Sequence, residues 1–228
     1  MINTWVKPPK GGFIFKIVTM QKKKVIVYVD GYNFYYGLKH GGSKWKRLYW
    51  LDVVKFFERM MLPEQELVEV NYYSARPVDD SQAYYNQDKF FQANEINPKF
   101  KLHLGLYKKK KIKCQNCGFK IKTYEEKESD VRVATGMLVD VYSKRCDITI
   151  VVSADSDMIP SVEIIKNFAP AHPVHVFVPP TQKSFALASK CDHVVWLENY
   201  KARFVQSMLS EDVTLSNGHV LHRPANWR

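Results

Sequence analysis

The chain has 228 residues, 46% of them hydrophobic, which is enough to bury a substantial core and excludes disorder as its main state. Lys and Arg number 34 against 23 Asp and Glu, so the net charge of +11 favours a polyanionic partner, nucleic acid first and a membrane surface second. No apolar run approaches the roughly 20 residues of a spanning helix, FIFKIV makes a poor signal peptide, and four cysteines do not form a disulfide framework, so the expected compartment is the cytoplasm.

Residues 1–24 read as an extension, because Pro8, Pro9, Gly11 and Gly12 break regular structure and Lys22, Lys23 and Lys24 close it, with Met20 as a candidate natural start. Residues 25–29 form an unbroken apolar run, the mark of a strand buried on both faces, and it ends in Asp30. Gly31 lets the chain turn, and Asn33 either caps the next helical turn or presents its amide oxygen to a ligand. A loop follows in which Lys44, Lys46 and Arg47 interleave with Trp45, Tyr49 and Trp50. It reads equally as a nucleic-acid groove or as a solvated loop with its rings in the core.

Helical spacing covers residues 51–61, closed by Pro63, and residues 67–75 read as a strand. A helix over 81–94 precedes a hairpin pairing 100–107 with 112–124 across a tip of Lys108, Lys109, Lys110 and Lys111, a run suited to a phosphate backbone. The next helix spans 129–142 with Ser129 as its cap and a buried stripe of Val131, Ala134, Leu138 and Val141. The β-branched run 148–152 is the central strand, and it gives way at once to Ser153, Ala154, Asp155, Ser156 and Asp157. A helix over 158–168, a strand over 174–178, a short helix over 183–189 and a strand over 193–197 complete the alternation. The pattern predicts an α/β domain over 25–200 with a mainly parallel sheet and a hairpin insertion at about 100–124, followed by a C-terminal tail over 201–228.

Four acids stand at strand ends and a helix start: Asp30, Asp130, Asp155 and Asp157. If their strands are parallel neighbours, Asp30 and Asp155 converge at the carboxyl edge of the sheet, where open α/β sheets bind ligands. Carboxylates that close repel unless a cation sits between them, and a hard divalent ion such as Mg²⁺ suits oxygen donors. The absence of a His cluster argues against zinc at this place. Ser153, Asn33 and Ser156 complete a second layer around the acids. Each aspartate alone also reads as a helix cap, Asp157 above all, whereas the four together favour a metal site. Asp140 and Asp147 read as structural.

VDGYN ending at Asn33, EKESDV over 126–131 and VVSADSDMIP over 151–160 together resemble the NYN domain family, relatives of the PIN-domain nucleases, over about residues 25–197. The resemblance implies a PIN-like Rossmannoid three-layer fold and a metal-dependent ribonuclease that uses Mg²⁺ or Mn²⁺. It also implies catalytic, metal-binding aspartates at Asp30, Asp130, Asp155 and Asp157. Two departures stand out: Ala154 replaces the glycine of an SGDSD pattern, and Gly136 stands where many relatives carry a further acid, which leaves one or two bound ions open. RNA, single-stranded or structured, is the implied partner, gripped by Lys44, Lys46, Arg47 and Lys108 to Lys111, and a homo-oligomer is compatible with the pattern.

Cys114 and Cys117 form a CxxCG knuckle, half of a Zn²⁺ site that His103 could extend but not complete, so a plain turn is the stronger reading. A haloacid-dehalogenase site and a Toprim site are weaker readings, since Tyr32 stands where the first needs a second aspartate and Asp30 stands where the second wants a glutamate. A catalytically silent RNA-binding module of the same fold is the alternative from another class.

Overall fold

Six parallel strands form the centre of the molecule, and the computed structural model describes residues 4–6, 14–16, 21–76, 82–113, 116 and 118–228. Met20, Ser81, Cys114 and Cys117 lie outside the described residues, and with them the natural start and the zinc knuckle. A short antiparallel pair, β1 (Thr4–Val6) with β2 (Ile14–Lys16), precedes the sheet. The chain then runs through β3 (Lys23–Asp30), α1 (Gly31–His40), α2 (Ser43–Lys46), α3 (Val53–Met60), β4 (Gln65–Ser74), α4 (Gln82–Glu95) and β5 (Phe100–Leu104). An antiparallel ribbon of β6 (Leu106–Lys113) and β7 (Lys120–Lys127) interrupts it. Next come α5 (Ser129–Tyr142), β8 (Ile148–Val152), α6 (Ile159–Phe168), β9 (Val174–Val178), α7 (Phe185–Ala188) and β10 (His193–Trp196). The chain ends with α8 (Lys201–Gln206), β11 (Asp212–Thr214) and β12 (Val220–His222).

The sheet order is β10-β9-β8-β3-β4-β5, with every neighbouring pair parallel. Successive strands step outward from β3 on one side and from β8 on the other, so the strand order reverses between these two. That reversal opens a crevice beyond their carboxyl ends. The unbroken runs Val25 to Val29 and Ile148 to Val152 are buried on both faces, as a doubly covered sheet requires. Their side chains alternate into two cores. Val25, Val27, Val29, Ile150 and Val152 meet α1, α3, α4 and α8. Ile26, Tyr28 and Val151 meet α5, α6 and α7. The fold is thus α/β with three layers, a PIN-like Rossmannoid arrangement.

Five local expectations change, the first being the cap of α5: Glu128 is its N-cap and Ser129 its first helical residue. The stripe of α5 is Val133, Met137, Asp140 and Val141, and Val131 and Val139 are exposed. The helix is rotated because Asp140 is buried, accepting the Tyr28 hydroxyl at 2.6 Å and an Arg145 N–H at 2.7 Å. Residues 100–104 pair with β4 in the main sheet, so the hairpin spans 106–127 and Lys108 to Lys111 lie along β6 instead of at its tip. Trp45, Tyr49 and Trp50 are buried, so the loop's rings serve the core while its cations face water. Residues 201–228 also pack: Phe204 is fully buried, and the Trp50 indole N–H donates to the Ser210 carbonyl at 2.7 Å.

Three histidines tie stability to pH, burial being the first cause that lowers the pKa of His103 as well as those of His172 and His175. Burial first, then Lys166, lowers the His172 pKa, and burial followed by His193 lowers that of His175. The unfolded chain binds these protons more readily, so stability is complete above about pH 6.5 and declines as pH falls through that value towards the lowered folded ones. The denaturation midpoint is expected to be lower at pH 5.5 than at 7.5, by less in a His172→Gln variant, and an unchanged midpoint would contradict this.

Candidate metal centre

Strands β3 and β8 run side by side with Val29 opposite Val152, so Asp30 and Ser153 leave the sheet together. Asp30 is buried and uses both carboxylate oxygens. Oδ1 accepts the Asn33 N–H at 3.0 Å, which caps α1, and Oδ2 accepts the Ser153 hydroxyl at 3.0 Å. The Ser153 oxygen in turn accepts the Asp155 N–H at 3.0 Å. Asn33 adds a second stitch, its Oδ1 accepting the Ala154 N–H at 3.2 Å, and the Gln182 amide holds the Asn33 carbonyl at 2.9 Å. The loop that carries Asp155 is therefore fixed to the end of the neighbouring strand by hydrogen bonds on both sides.

Asp155 Oδ1 accepts the Asp157 N–H at 2.9 Å and so caps the 3-10 turn Ser156–Met158, whose Met158 is anchored in the core. The capping role expected of Asp157 thus falls to Asp155, and Asp157 is left exposed. Asp130 arrives from the first turn of α5, on the same face as Val133, Met137 and Asp140. The sheet-facing stripe aims it at the crevice.

Asp130, Asp155 and Asp157 each offer a carboxylate oxygen within 4.8 Å of the others. Partial burial first, and then the charges of Asp155 and Asp157, push the Asp130 carboxyl above its ordinary value. This is the conflict a cation relieves. Three oxygen donors and no nitrogen or sulfur suit a hard ion such as Mg²⁺ or Mn²⁺ better than zinc. Asp30 stands behind the group, joined to the Asp155 backbone N–H through Ser153 by two hydrogen bonds.

The position of Gly136 has a steric explanation. A Cβ there would lie 2.4 Å from the Tyr73 hydroxyl, so the phenol fills the place that an acidic side chain would need. Lys44, Lys46 and Arg47 are exposed on and after α2, and Lys108, Lys110 and Lys111 are exposed on β6. The side chain of Lys109 is outside the description.

An open recess of about 540 Å³ lies at Asp155 and brings in residues that sequence reasoning passed over: Tyr32, Tyr36 and His40 from α1, with Gln182 and Lys183. The i, i+4 spacing of Tyr32 and Tyr36 was a usable signal for one shared helix face. Gln182 and Lys183 carried none, because they reach the recess from the loop after β9.

The parallel α/β sheet and the acidic crevice at its switch point fit a PIN-like, nuclease-like fold. Residues 24–198 match the NYN domain, and the chain belongs to the NYN domain family. A curated relative, 6-hydroxy-3-succinoylpyridine 3-monooxygenase HspA from Pseudomonas putida (strain DSM 28022 / S16), is 27% identical over 178 residues. The match covers 61% of this chain and 54% of that protein, so the chain spans about half the length of the curated relative. Among solved structures, a protein of unknown function, VPA0982 from Vibrio parahaemolyticus RIMD 2210633, is 21% identical with a TM-score of 0.53. It covers 78% of this chain and 95% of its own, a likeness of fold alone.

Among the described residues no helix is long and apolar enough to cross a membrane.

Proposed function

We propose that this protein hydrolyses RNA phosphodiester bonds with Mg²⁺ or Mn²⁺ held by Asp130, Asp155 and Asp157. The observation that carries the reading is the convergence of three carboxylates within 4.8 Å in an NYN domain. When bound, the cation supplies charge neutralisation at the scissile phosphate and activation of the attacking water. The chain's own residues do the positioning. Asp30 holds Ser153, Ser153 holds the Asp155 backbone, and Asn33 holds Ala154, so the triad keeps its geometry while substrate enters. Lys183 and His40 at the recess meet the phosphate, and Lys44, Lys46, Arg47 and the β6 lysines steer the polyanion from further out.

A catalytically silent RNA-binding module is the weaker alternative. Binding alone has no use for three mutually repelling carboxylates, which weaken a phosphate's hold unless a cation is present. One observation favours a second reading, chemistry on a small aromatic molecule of the kind the HspA name describes: a cavity walled by tyrosines adjoins the acidic recess.

Asp30→Asn provides the test. The amide leaves the fold intact but loosens the Ser153 relay, and supports of this kind are worth about 10- to 100-fold in metal affinity or activity. Cleavage of labelled single-stranded RNA in Mn²⁺ is expected to fall by that factor while RNA binding in chelator is unchanged or tighter. Parental cleavage by the variant would remove Asp30 from the machinery.

A further inference from the structure

The acidic site leaves unused a cavity of about 340 Å³ enclosed by α1, the end of β4, α4 and the C-terminal turn. Its walls are rings, chiefly Tyr35, Tyr49, Tyr72, Phe90 and Trp227, with the polar groups of Ser74, Asn86, Gln87 and Asn226 between them. Such a cavity presents faces for stacking and amides for in-plane hydrogen bonds. Gln87 adds a specific need. Its amide nitrogen donates to the Ser74 hydroxyl at 3.2 Å and to the Ala75 carbonyl at 3.3 Å, and its Oε1 is buried with no partner among the described residues. A buried acceptor without a donor costs stability, and this oxygen, which has no accessible surface of its own, gains a partner when Gln87 turns its amide toward the cavity it lines and meets a ring N–H there.

The cavity is joined to the acids by construction. Tyr32 and Tyr36 line both the cavity and the Asp155 recess, forming a common wall between them. Tyr72 is pressed against Gly31, where a Cβ would lie 2.4 Å from its ring, so the cavity also reaches the residue that follows Asp30. Lys39, the one cation among the lining residues, holds its Nζ 5.7 Å from the Tyr35 ring centroid and 5.1 Å from that of Tyr36. The cavity therefore offers a polarised aromatic rim to the ring and leaves the phosphate to the recess where Lys183 lies.

We infer that this cavity takes one planar nitrogen heteroaromatic ring, the base of an unstacked ribonucleotide whose phosphate lies in the Asp155 recess. Single-stranded RNA is read in this manner, with splayed bases stacked on aromatic side chains and hydrogen-bonded at their edges. The inference deepens the ribonuclease reading and rests on it for the fate of the phosphate, while capture of the ring stands separately.

The experiment titrates the full chain into 2-aminopurine ribonucleoside monophosphate in excess chelator and follows fluorescence, which stacking quenches. Saturable quenching is expected in the parent. Ala83→Trp, at an exposed lining position on α4, is expected to weaken binding about tenfold or more, in keeping with the worth of one base stack. Gln87→Leu, which removes the amide without filling the cavity, is expected to weaken it several-fold, and melting midpoints confirm that both variants fold. Absence of saturable quenching, or equal affinity in both cavity variants and the parent, would overturn the inference. Competition identifies the source of the ring. Displacement by an RNA oligonucleotide, but not by its abasic counterpart, supports the nucleotide. Displacement by free heteroaromatic compounds but never by RNA overturns the nucleotide assignment. Chelator suppresses cleavage throughout, so failure of the ribonuclease reading would appear only in a separate Mn²⁺ cleavage assay.

Discussion

Asp155→Asn is expected to lower metal-dependent RNA cleavage on the order of 10³-fold, the equivalent of several kcal/mol of metal-borne transition-state stabilisation. The substitution is selective because of how the residue is held. Asp155 Oδ1 accepts the Asp157 N–H, and an asparagine oxygen accepts the same bond, so the 3-10 turn keeps its cap. The bond from the Asp155 N–H to Ser153 is a backbone bond and survives unchanged. Only the charge and one anionic ligand are lost. The melting midpoint should remain within a degree or two of the parent, and a variant that keeps the parental rate would remove Asp155 from the chemistry.

Phe204→Ala is the second large effect, this time on stability. Phe204 lies in α8 with no exposed surface, its ring centroid 4.2 Å from that of Phe56, 5.3 Å from Trp45 and 6.1 Å from Phe34. It joins α1, α2 and α3 across a segment that reads in sequence as a tail. Truncating a buried phenylalanine costs about 3–5 kcal/mol, a large part of the roughly 5–15 kcal/mol that holds a domain together. Chemical denaturation should show that loss, and deleting residues 201–228 should leave the core open and the chain prone to aggregate. A shortened chain with the parental midpoint would show that the terminal segment is dispensable.

The sheet and its acids were legible because their signals are local. Residues 25–29 and 148–152 are unbroken β-branched or aromatic runs that only a doubly covered strand accommodates, and each delivers its carboxylate within a few residues of its end. What escaped depends on contacts between distant segments. The face of α5 is decided by Tyr28 and Arg145 holding Asp140, so Val131 is left outside against the apolar pattern. The burial of Trp45, Tyr49 and Trp50 depends on Phe204 and Trp227, over a hundred residues away, and no spacing rule reports it. The lysine run was visible, but its place on a strand followed from 100–104 being claimed by β4. At the site, the relay from Asp30 through Ser153 to Asp155 depends on parallel register, which sequence permits but does not dictate.

Cleavage of 5′-labelled single-stranded RNA by the full chain, in Mn²⁺ and in excess chelator, tests the central claim most directly. The account predicts discrete shortened products in Mn²⁺, none in chelator, and recovery when the ion is restored. Equal cleavage in chelator, or intact RNA in saturating Mn²⁺, would contradict it.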